Sequence, residues 1–567
     1  MIKTNIVVLT LVGLAILVAA DYRPIGDGAA TYFKRYINKE KGSNGLAFTY
    51  NPRNISNLVA STGSPAKSAL NISMMEVFFA QFINHDLERN EFVNDLYYMP
   101  VYPGDRLYGL NATNNYIIAR YSYTELVSSD DDDNLSPQLL NNNSKLLDLS
   151  TVYGSNNETS EALRLYSGGK LKTSAYTAHL GPFVTLVYSD LAPSQAYSGL
   201  TTSSPVSTGP DTVLTSGDDR VDENIAMALI NSAFIRRHNQ HATNLSTLNS
   251  DWDDEKLFQE ARKITIAEYQ HIVFDEYIPV VLGPITDSIR KYRGYDDEVD
   301  TRTSIEFASG AFRYGHSAVS PYNLIQANGS LYRFTLPAGI FGPFPITSSQ
   351  LPFAGQLGGP LNVATALATA GGIGNVLRGL INSVADDVDI QINDVIRNIV
   401  FGGSIGRGVD LLAVDIFRGR NNGLPSYHEL RKKFYNVKGL PAGDNNIYQA
   451  CGANKNDPNP DAIACFDLIT SNHTLALALQ SIYGKVNNID GLVGLLSENR
   501  YPGAVFSRTT AGIIAKEYQT KRDGDPWWYE AILTDDELSA VKSVRLSTIL
   551  SSVYNLTGLP DNVFVVS

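Results

Sequence analysis

The stretch M-M-E-V-F-F-A-Q-F-I-N-H-D, residues 74–86, reads as an apolar helix with a polar seam. It closes on Gln81-Phe82-Ile83-Asn84-His85-Asp86, so an imidazole and a carboxylate sit at the end of a helix that is otherwise core material. Gln81 lies one helical turn before His85, on the same face. Working outward, Asn224 to Thr243 places Ile225, Ala228, Leu229, Phe234 and Ile235 near helical spacing, and Asp254 to Ile272 and Thr534 to Ser551 read the same way. Runs of alternating strand are scarce. Long polar, Gly- and Pro-containing stretches such as Ser189 to Asp218 and Gly439 to Pro460 separate the helices. The acidic stretch Ser128 to Asp133 lacks EF-hand spacing and reads as a solvated loop. No repeat of solenoid or propeller period is present. The fold class is mainly α, a large helical domain with long loops and little β.

Composition sets limits on function. Of the 567 residues 43% are hydrophobic types and 18% are charged, enough apolar material for a large core. The net charge of −13 argues against nucleic acid and against docking on anionic lipid. Residues 1–20 read as a signal peptide: Lys3 gives a positive start, Ile6 to Leu17 is apolar, and Val18-Ala19-Ala20 offers a cleavage site before Asp21. A membrane span needs about 20 apolar residues, more than this run supplies, and no later stretch is long enough. A secreted, extracellular chain is therefore expected, with residues 21–567 forming the mature domain. Asn54, Asn71, Asn111, Asn142, Asn157, Asn244, Asn328, Asn472 and Asn555 all stand in N-x-S/T sequons, which fits export as a glycoprotein. Two cysteines, Cys451 and Cys465, are too few for a zinc or iron–sulfur site; in an oxidising compartment they form one local disulfide.

Eight histidines can be weighed one by one. His238 and His241 sit three apart on a helix and could share a metal, but no third ligand is near. His179, His271, His428 and His473 have no informative surroundings. His85 and His316, the latter in Phe312-Arg313-Tyr314-Gly315-His316, are set apart by their context, although either one alone reads first as a structural histidine.

That context is a series of blocks. Q-F-I-N-H-D (81–86), L-D-L-S-T-V-Y-G-S (147–155), G-D-D-R-V-D-E (217–223), F-R-Y-G-H-S (312–317) and R-G-R-N-N-G-L-P-S-Y (418–427) occur in this order, with weaker matches at Tyr483-Gly484, Asn487 to Asp490, Arg522 to Asp525 and Trp527 to Glu530. Together they resemble the animal haem peroxidases of the peroxidase–cyclooxygenase superfamily, the group of myeloperoxidase and peroxinectin. The resemblance covers nearly all of the mature chain. It implies one large helical domain around a buried haem b, with hydrogen peroxide and a small reducing substrate as partners, such as a halide, thiocyanate or a phenol.

The resemblance also implies roles, each with a physical reason. His316 is the expected iron ligand. Its second ring nitrogen needs an acceptor; the family usually has an asparagine there, and this sequence has Asp415. A carboxylate accepts more strongly, which should enrich the iron in electrons and lower its reduction potential. His85 is the expected distal histidine, moving a proton between the two peroxide oxygens. Arg220 is expected to stabilise the developing negative charge, and Gln81 to belong to the distal water and halide network. Arg220 has an ordinary reading beside this one, a surface arginine paired with Asp218, Asp219 or Asp222. Arg313 and Arg418 match arginines near the haem propionates. Asp86, Ser144, Asp148 and Ser150, with the Leu146 carbonyl, match a calcium loop whose alternating oxygens suit a hard cation. A loop buried around calcium leaves no room for a glycan at Asn142.

The sequence also departs from the pattern. Of the two carboxylates that form haem esters in mammalian members, the glutamate is matched by Glu223 and the aspartate by Asn84, so at most one ester is expected. Asn224 stands where myeloperoxidase carries a sulfonium-forming methionine, so that link should be absent. Two other functions compete. A fatty-acid dioxygenase of the cyclooxygenase branch needs a radical tyrosine three residues before the proximal histidine, where this chain has Arg313; Tyr314 is two before. A peroxinectin-like adhesion protein in contact with matrix or cell surface is compatible with retained chemistry, but no RGD triplet is present.

Overall fold

The computed structural model describes residues 22–24, 31–37, 50–61, 63–102, 104–105, 116–122, 124–129, 132–173, 216–218, 220–221, 224–320, 322–327, 330–335, 372–398, 409–443 and 462–567. Six helices carry the argument: α1 (Pro52–Ala60), α2 (Met74–Leu87), α3 (Ile225–Leu248), α4 (Asp254–Ile272), α5 (Leu411–Asn421) and α6 (Arg508–Asp523).

α2 is the centre. Ser73 caps it by accepting the Glu76 N–H, and along its length only Gln81 and Asn84 are not buried. A helix that is apolar almost all round has to be surrounded. Phe82 stacks on Phe234 of α3 with ring centres 5.2 Å apart, and Tyr269 of α4 meets Phe82 edge-on at 5.8 Å. The C-terminal tail closes the near end: the Ser73 N–H donates to the Phe564 carbonyl and the Val566 N–H to the Asn71 carbonyl. One continuous apolar cluster runs from Ile55 to Phe564, so widely separated parts of the chain share a core.

The sequence-predicted helices are present, with one exception. Asp254–Ile272 forms over the expected span, and the other two extend a little beyond theirs. The apolar run after Thr534 is instead two helices, Asp535–Lys542 and Leu546–Tyr554. The second is anchored by a tertiary contact, the Leu546 N–H donating to the Glu276 carboxylate at 2.9 Å. Strand content among the described residues is small: antiparallel hairpins pair Phe92–Pro100 with Tyr116–Ser122, Thr124–Ser129 with Asp132–Asn141, and Tyr322–Ala327 with Ser330–Thr335. The second hairpin corrects the loop reading of the acidic stretch, because Ser128 pairs with Leu135 and Ser129 with Asp132. Its far end, Asn141, pairs in turn with Thr31 and delivers the chain to the end of α2. No described helix is long and apolar enough to cross a membrane, and residues 1–20 lie outside the described set.

Candidate functional site

One side of the site is built on the last turn of α2. His85 is 3% exposed. Gln81, one turn earlier, accepts a hydrogen bond from the Asn224 amide at 3.0 Å, while Asn224 caps α3 by accepting the Met227 N–H at 2.9 Å. Residues 216–218 dock on the turn that follows the 141–150 loop, the Asp218 N–H donating to the Thr151 carbonyl at 3.1 Å. That approach requires glycine before Asp218: a Cβ on Gly217 would lie 2.1 Å from the Ser150 carbonyl oxygen and 2.2 Å from the Gly154 nitrogen. Asp218 then takes Arg220 in a two-pronged pair, Nε to Oδ1 at 2.8 Å and Nη2 to Oδ2 at 2.6 Å, and lies 4.0 Å from His85 Nδ1. The ordinary reading of Arg220, a pair with Asp218, is present, and the pair stands beside His85.

Electrostatics follow from this placement. Burial pushes the His85 pKa well below its ordinary value, the Arg220 cation adds to this, and Asp218 opposes it. The result is a neutral imidazole. Burial alone would raise the Asp218 pKa, but Arg220, by charge and hydrogen bond, brings it below the usual carboxylate range.

The other side comes from three segments. His316 sits at the start of the short helix Gly315–Ala318 and donates from Nδ1 to Asp415 Oδ2 at 2.5 Å. Asp415 is on α5, whose first turn is capped by Asp410; the buried Arg53 of α1 holds Asp410 at 2.6 Å. Burial works against an ionised Asp415, yet His316, Arg313 and Arg418 together bring its pKa below the ordinary carboxylate value. Arg418, one turn on, approaches Asp415 at 3.6 Å, and burial with the nearby Arg313 charge lowers its own pKa to about 10. Arg313 is paired with Glu88 at 2.7 Å, so the two guanidinium groups share two carboxylates, Glu88 and Asp415.

Glu88 joins the two sides. It is buried, it accepts from the Asn84 amide at 2.6 Å and from Arg313 Nη2 at 2.7 Å, and its backbone carbonyl accepts from Arg220 Nη2 at 3.0 Å. The end of α2, the 216–220 segment and the segment leading to His316 are thus tied through one residue.

The 141–150 loop brings Ser144, Asp148 and Ser150 to Asp86 at the end of α2. Ser150 Oγ donates to Asp86 Oδ1 at 2.9 Å, Ser144 Oγ to Asp148 Oδ2 at 2.8 Å, and the Ser150 N–H to Asp148 Oδ1 at 3.1 Å. The Leu146 N–H donates to Ser144 Oγ at 3.1 Å. Leu149 is held in left-handed backbone with φ of 57°, which costs about 1–3 kcal/mol and persists only where neighbours over-determine it. Burial, then the Asp148 charge, raises the Asp86 pKa to about 8, and burial raises that of Asp148 as well. Asn143 reaches from this loop to the His85 carbonyl and, at 3.3 Å, to Asp218; Asn141 donates to the Leu87 carbonyl at 3.0 Å. Asn142 donates its own amide to Glu91 at 3.0 Å.

The animal haem peroxidase profile matches residues 29–564. The chain belongs to the animal haem peroxidase family. It is 29% identical to peroxinectin A of Dictyostelium discoideum over 402 residues, 70% of this chain and 64% of that one. Peroxidase A of the same organism shares the fold with a TM-score of 0.75 at 23% identity, over 96% of this chain and 98% of the other. Fatty acid alpha-dioxygenase of Arabidopsis thaliana has a TM-score of 0.66 at 16% identity, over 96% and 81%. The chain spans 25–64% of the length of the first curated relatives it matches.

Haem fits the residues that this family member presents. His316 has one ring nitrogen committed to Asp415, and its side chain is 29% exposed between buried neighbours. A Cβ on Gly315 would meet no atom within 4 Å, so the space beside His316 is open. Arg313 and Arg418 lie next to it. Asn84 is engaged with Glu88 and Asn224 with Gln81, while Glu223 lies outside the described residues. Tyr314 turns into the core, donating to Glu76 and sharing a hydrogen bond with Tyr277, both at 2.7 Å. His238 is committed through Nδ1 to Tyr153 and through Nε2 to the Gly169 carbonyl, so it shares no metal with His241. Cys465 is disulfide-bonded.

Sequence reading missed Glu88, Asp218, Asn141 and Asn143 as site residues. Asp218 entered it only as an ordinary ion-pair partner. Glu88, three residues after His85, carried a usable signal in its spacing.

Proposed function

We propose that the chain is a secreted haem peroxidase that reduces hydrogen peroxide and oxidises small donors. The observation that carries this reading is the tie through Glu88, which holds a neutral histidine and an arginine on one side of a histidine–carboxylate pair. In this reading His316 binds the iron of haem b, Arg313 and Arg418 hold the propionates, and Glu223 is the one residue whose match to the family allows an ester. Bound haem would relay two electrons from the small donor to peroxide, which with two protons gives two waters.

The chain's own residues handle the protons and the charge. His85, neutral because it is buried beside Arg220, accepts a proton from one peroxide oxygen and returns it to the other. Arg220, fixed by Asp218 and by the Glu88 carbonyl, stabilises the charge on the departing oxygen. Gln81, oriented by Asn224, orders small molecules on the same face. The ionised Asp415 strengthens His316 as a donor and stabilises the oxidised iron, which favours easily oxidised donors such as iodide, bromide, thiocyanate and phenols over chloride. Asp86, Ser144, Asp148 and Ser150, with the Leu146 carbonyl, hold calcium and fix the end of α2. The sequons and the relation to peroxinectin A support an extracellular location with matrix or cell-surface contact.

The test is direct. The purified protein is loaded with hemin, its Soret band recorded, and turnover of peroxide followed with iodide and with a phenol. A correctly folded preparation that takes up no hemin ends this reading, and oxygen uptake on a polyunsaturated fatty acid without peroxide turnover would replace it with a dioxygenase.

A further inference from the structure

Gln270 of α4 donates to the Leu147 carbonyl of the 141–150 loop at 2.9 Å, and it also lines a cleft of about 300 Å3. Trp527 and Tyr529 supply an aromatic wall, and Ile266 and Ile532 extend the apolar surface. Of the charged residues lining the cleft three are cations, Arg23, Arg262 and Lys263, and one is an acid, Glu260. Glu260 is taken by Lys263 at 2.7 Å. Arg23 pairs with Asp525, which lies behind the lining.

Arg262 is different. It is buried, and its hydrogen bonds go to the backbone carbonyls of Arg23 and Pro24, at 2.6 and 3.4 Å, and to the Gln259 amide oxygen at 3.4 Å. None of these acceptors is a carboxylate. Two guanidinium nitrogens of the cluster, Arg23 Nη1 and Arg262 Nε, are buried without an acceptor. Buried donors are nearly always satisfied, and a guanidinium is best satisfied by a carboxylate. An apolar cleft with a few convergent polar groups is the usual form of a small-molecule site. None of the haem-binding or calcium-loop residues lines this cleft, although Gln270 and the charges of Arg23 and Arg262 join its back wall to the 141–150 loop.

We propose that this cleft binds a small aromatic carboxylate, its ring against Trp527 and Tyr529 and its carboxylate towards Arg262. The aromatic wall selects for the ring and the under-partnered arginine for the charge. A neutral analogue of the same shape keeps the first interaction and loses the second. A short aliphatic acid keeps the second and loses the first.

The experiment uses the hemin-loaded protein with its iron blocked by cyanide. It is titrated by calorimetry with benzoate, benzyl alcohol and acetate, while the Soret band is followed in parallel. Benzoate is expected to bind at least tenfold more tightly than either analogue, with no Soret change. Ile532→Trp fills the cleft and should weaken benzoate at least tenfold while leaving the haem spectrum and iodide turnover intact. Trp527→Leu, which opens the wall instead of filling the space, should weaken it severalfold. Equal binding of benzoate and benzyl alcohol overturns the proposal. So does benzoate affinity that survives Ile532→Trp, or benzoate binding that shifts the Soret band. A folded protein that takes up no hemin would still give the same calorimetric comparison, so this test fails or succeeds independently of the haem reading.

Discussion

On the proposed reading of the 141–150 loop, removing its calcium should reverse the way this protein's stability depends on pH. Asp86 at the end of α2 and Asp148 of the 141–150 loop are buried side by side, and without a cation burial and the Asp148 charge put the Asp86 pKa at about 8. In the unfolded chain an aspartate titrates near 4. The metal-free folded state therefore holds one more proton than the unfolded state across the window between those values. A carboxyl whose pKa is raised by folding contributes stability that is present at low pH and lost as pH rises through the folded value. One proton of difference changes the unfolding free energy by about 1.4 kcal/mol per pH unit, so the chelated protein should lose about 4 kcal/mol between pH 5 and pH 8. A domain's whole stability is on the order of 5–15 kcal/mol, so the loss is large enough to read.

The assay is urea denaturation at pH 5 and pH 8, with metal-stripped protein and with protein saturated in calcium. Glu76 and Glu276, each raised to about 7 by burial, add a slope of the same sign in both preparations. The informative quantity is therefore the difference between the two slopes. Calcium prefers the ionised pair, so the saturated protein should gain most at pH 8 and its slope should flatten or invert. Asp86→Asn removes the titrating group, and its stripped form should show a shallower slope with little response to calcium. Coincident slopes with and without calcium would refute the assignment of the loop.

Asp415→Asn replaces a charge-assisted hydrogen bond with a neutral one, a difference of roughly 1–2 kcal/mol, and should raise the haem reduction potential by about 40–90 mV; spectroelectrochemistry checks it, and an unmoved potential sinks the role of the carboxylate. His85→Gln should slow peroxide cleavage by about 10²–10⁴-fold in stopped flow while hemin uptake persists. Gly217→Ala forces a methyl into the Ser150 carbonyl, so melting should reveal a loss of about 1–3 kcal/mol along with a fall in peroxide reactivity; an unchanged protein would show that the 216–218 segment is misplaced. Denaturing extraction followed by mass analysis should release haem with at most one bond to the chain, and never one through Asn84, whose amide is committed to Glu88.

The helices were legible because apolar periodicity and caps act locally. Asp253 caps α4 through the Lys256 N–H, and the run to Ile272 keeps its spacing, so sequence and structure agree there. The run after Thr534 keeps its spacing too, yet it breaks at 543–545. Glu276, some 270 residues away, receives the Leu546 N–H, and no local signal encodes that. The hairpin through the acidic stretch was hidden for a related reason, since its pairing of Ser128 with Leu135 does not require alternating side chains. Within the site, His85, Arg220, His316 and Asp415 stood out because they fall inside motif blocks. Glu88 acquires its meaning only when Arg313, 225 positions later, folds onto it. Asn143 likewise becomes informative only through its reach to the His85 carbonyl and Asp218.

These late-appearing residues explain why a loop distant from the ligand histidine should govern the reaction. A proton-moving imidazole must be both neutral and fixed. Burial beside Arg220 makes His85 neutral, but burial also deprives its backbone and its neighbour Asp218 of water. Asn143 supplies what water would have supplied, to both at once, and its position depends on the left-handed turn at Leu149 and on two carboxylates that repel each other. Left to themselves those carboxylates relax by taking up a proton or by moving apart, and either response shifts the loop that carries Asn143. A divalent cation removes the need for both. With calcium bound there as proposed, His85 would be held in place by an ion that never touches it, and losing the ion should disorder proton transfer before it disturbs the attachment of His316 to Asp415 on α5.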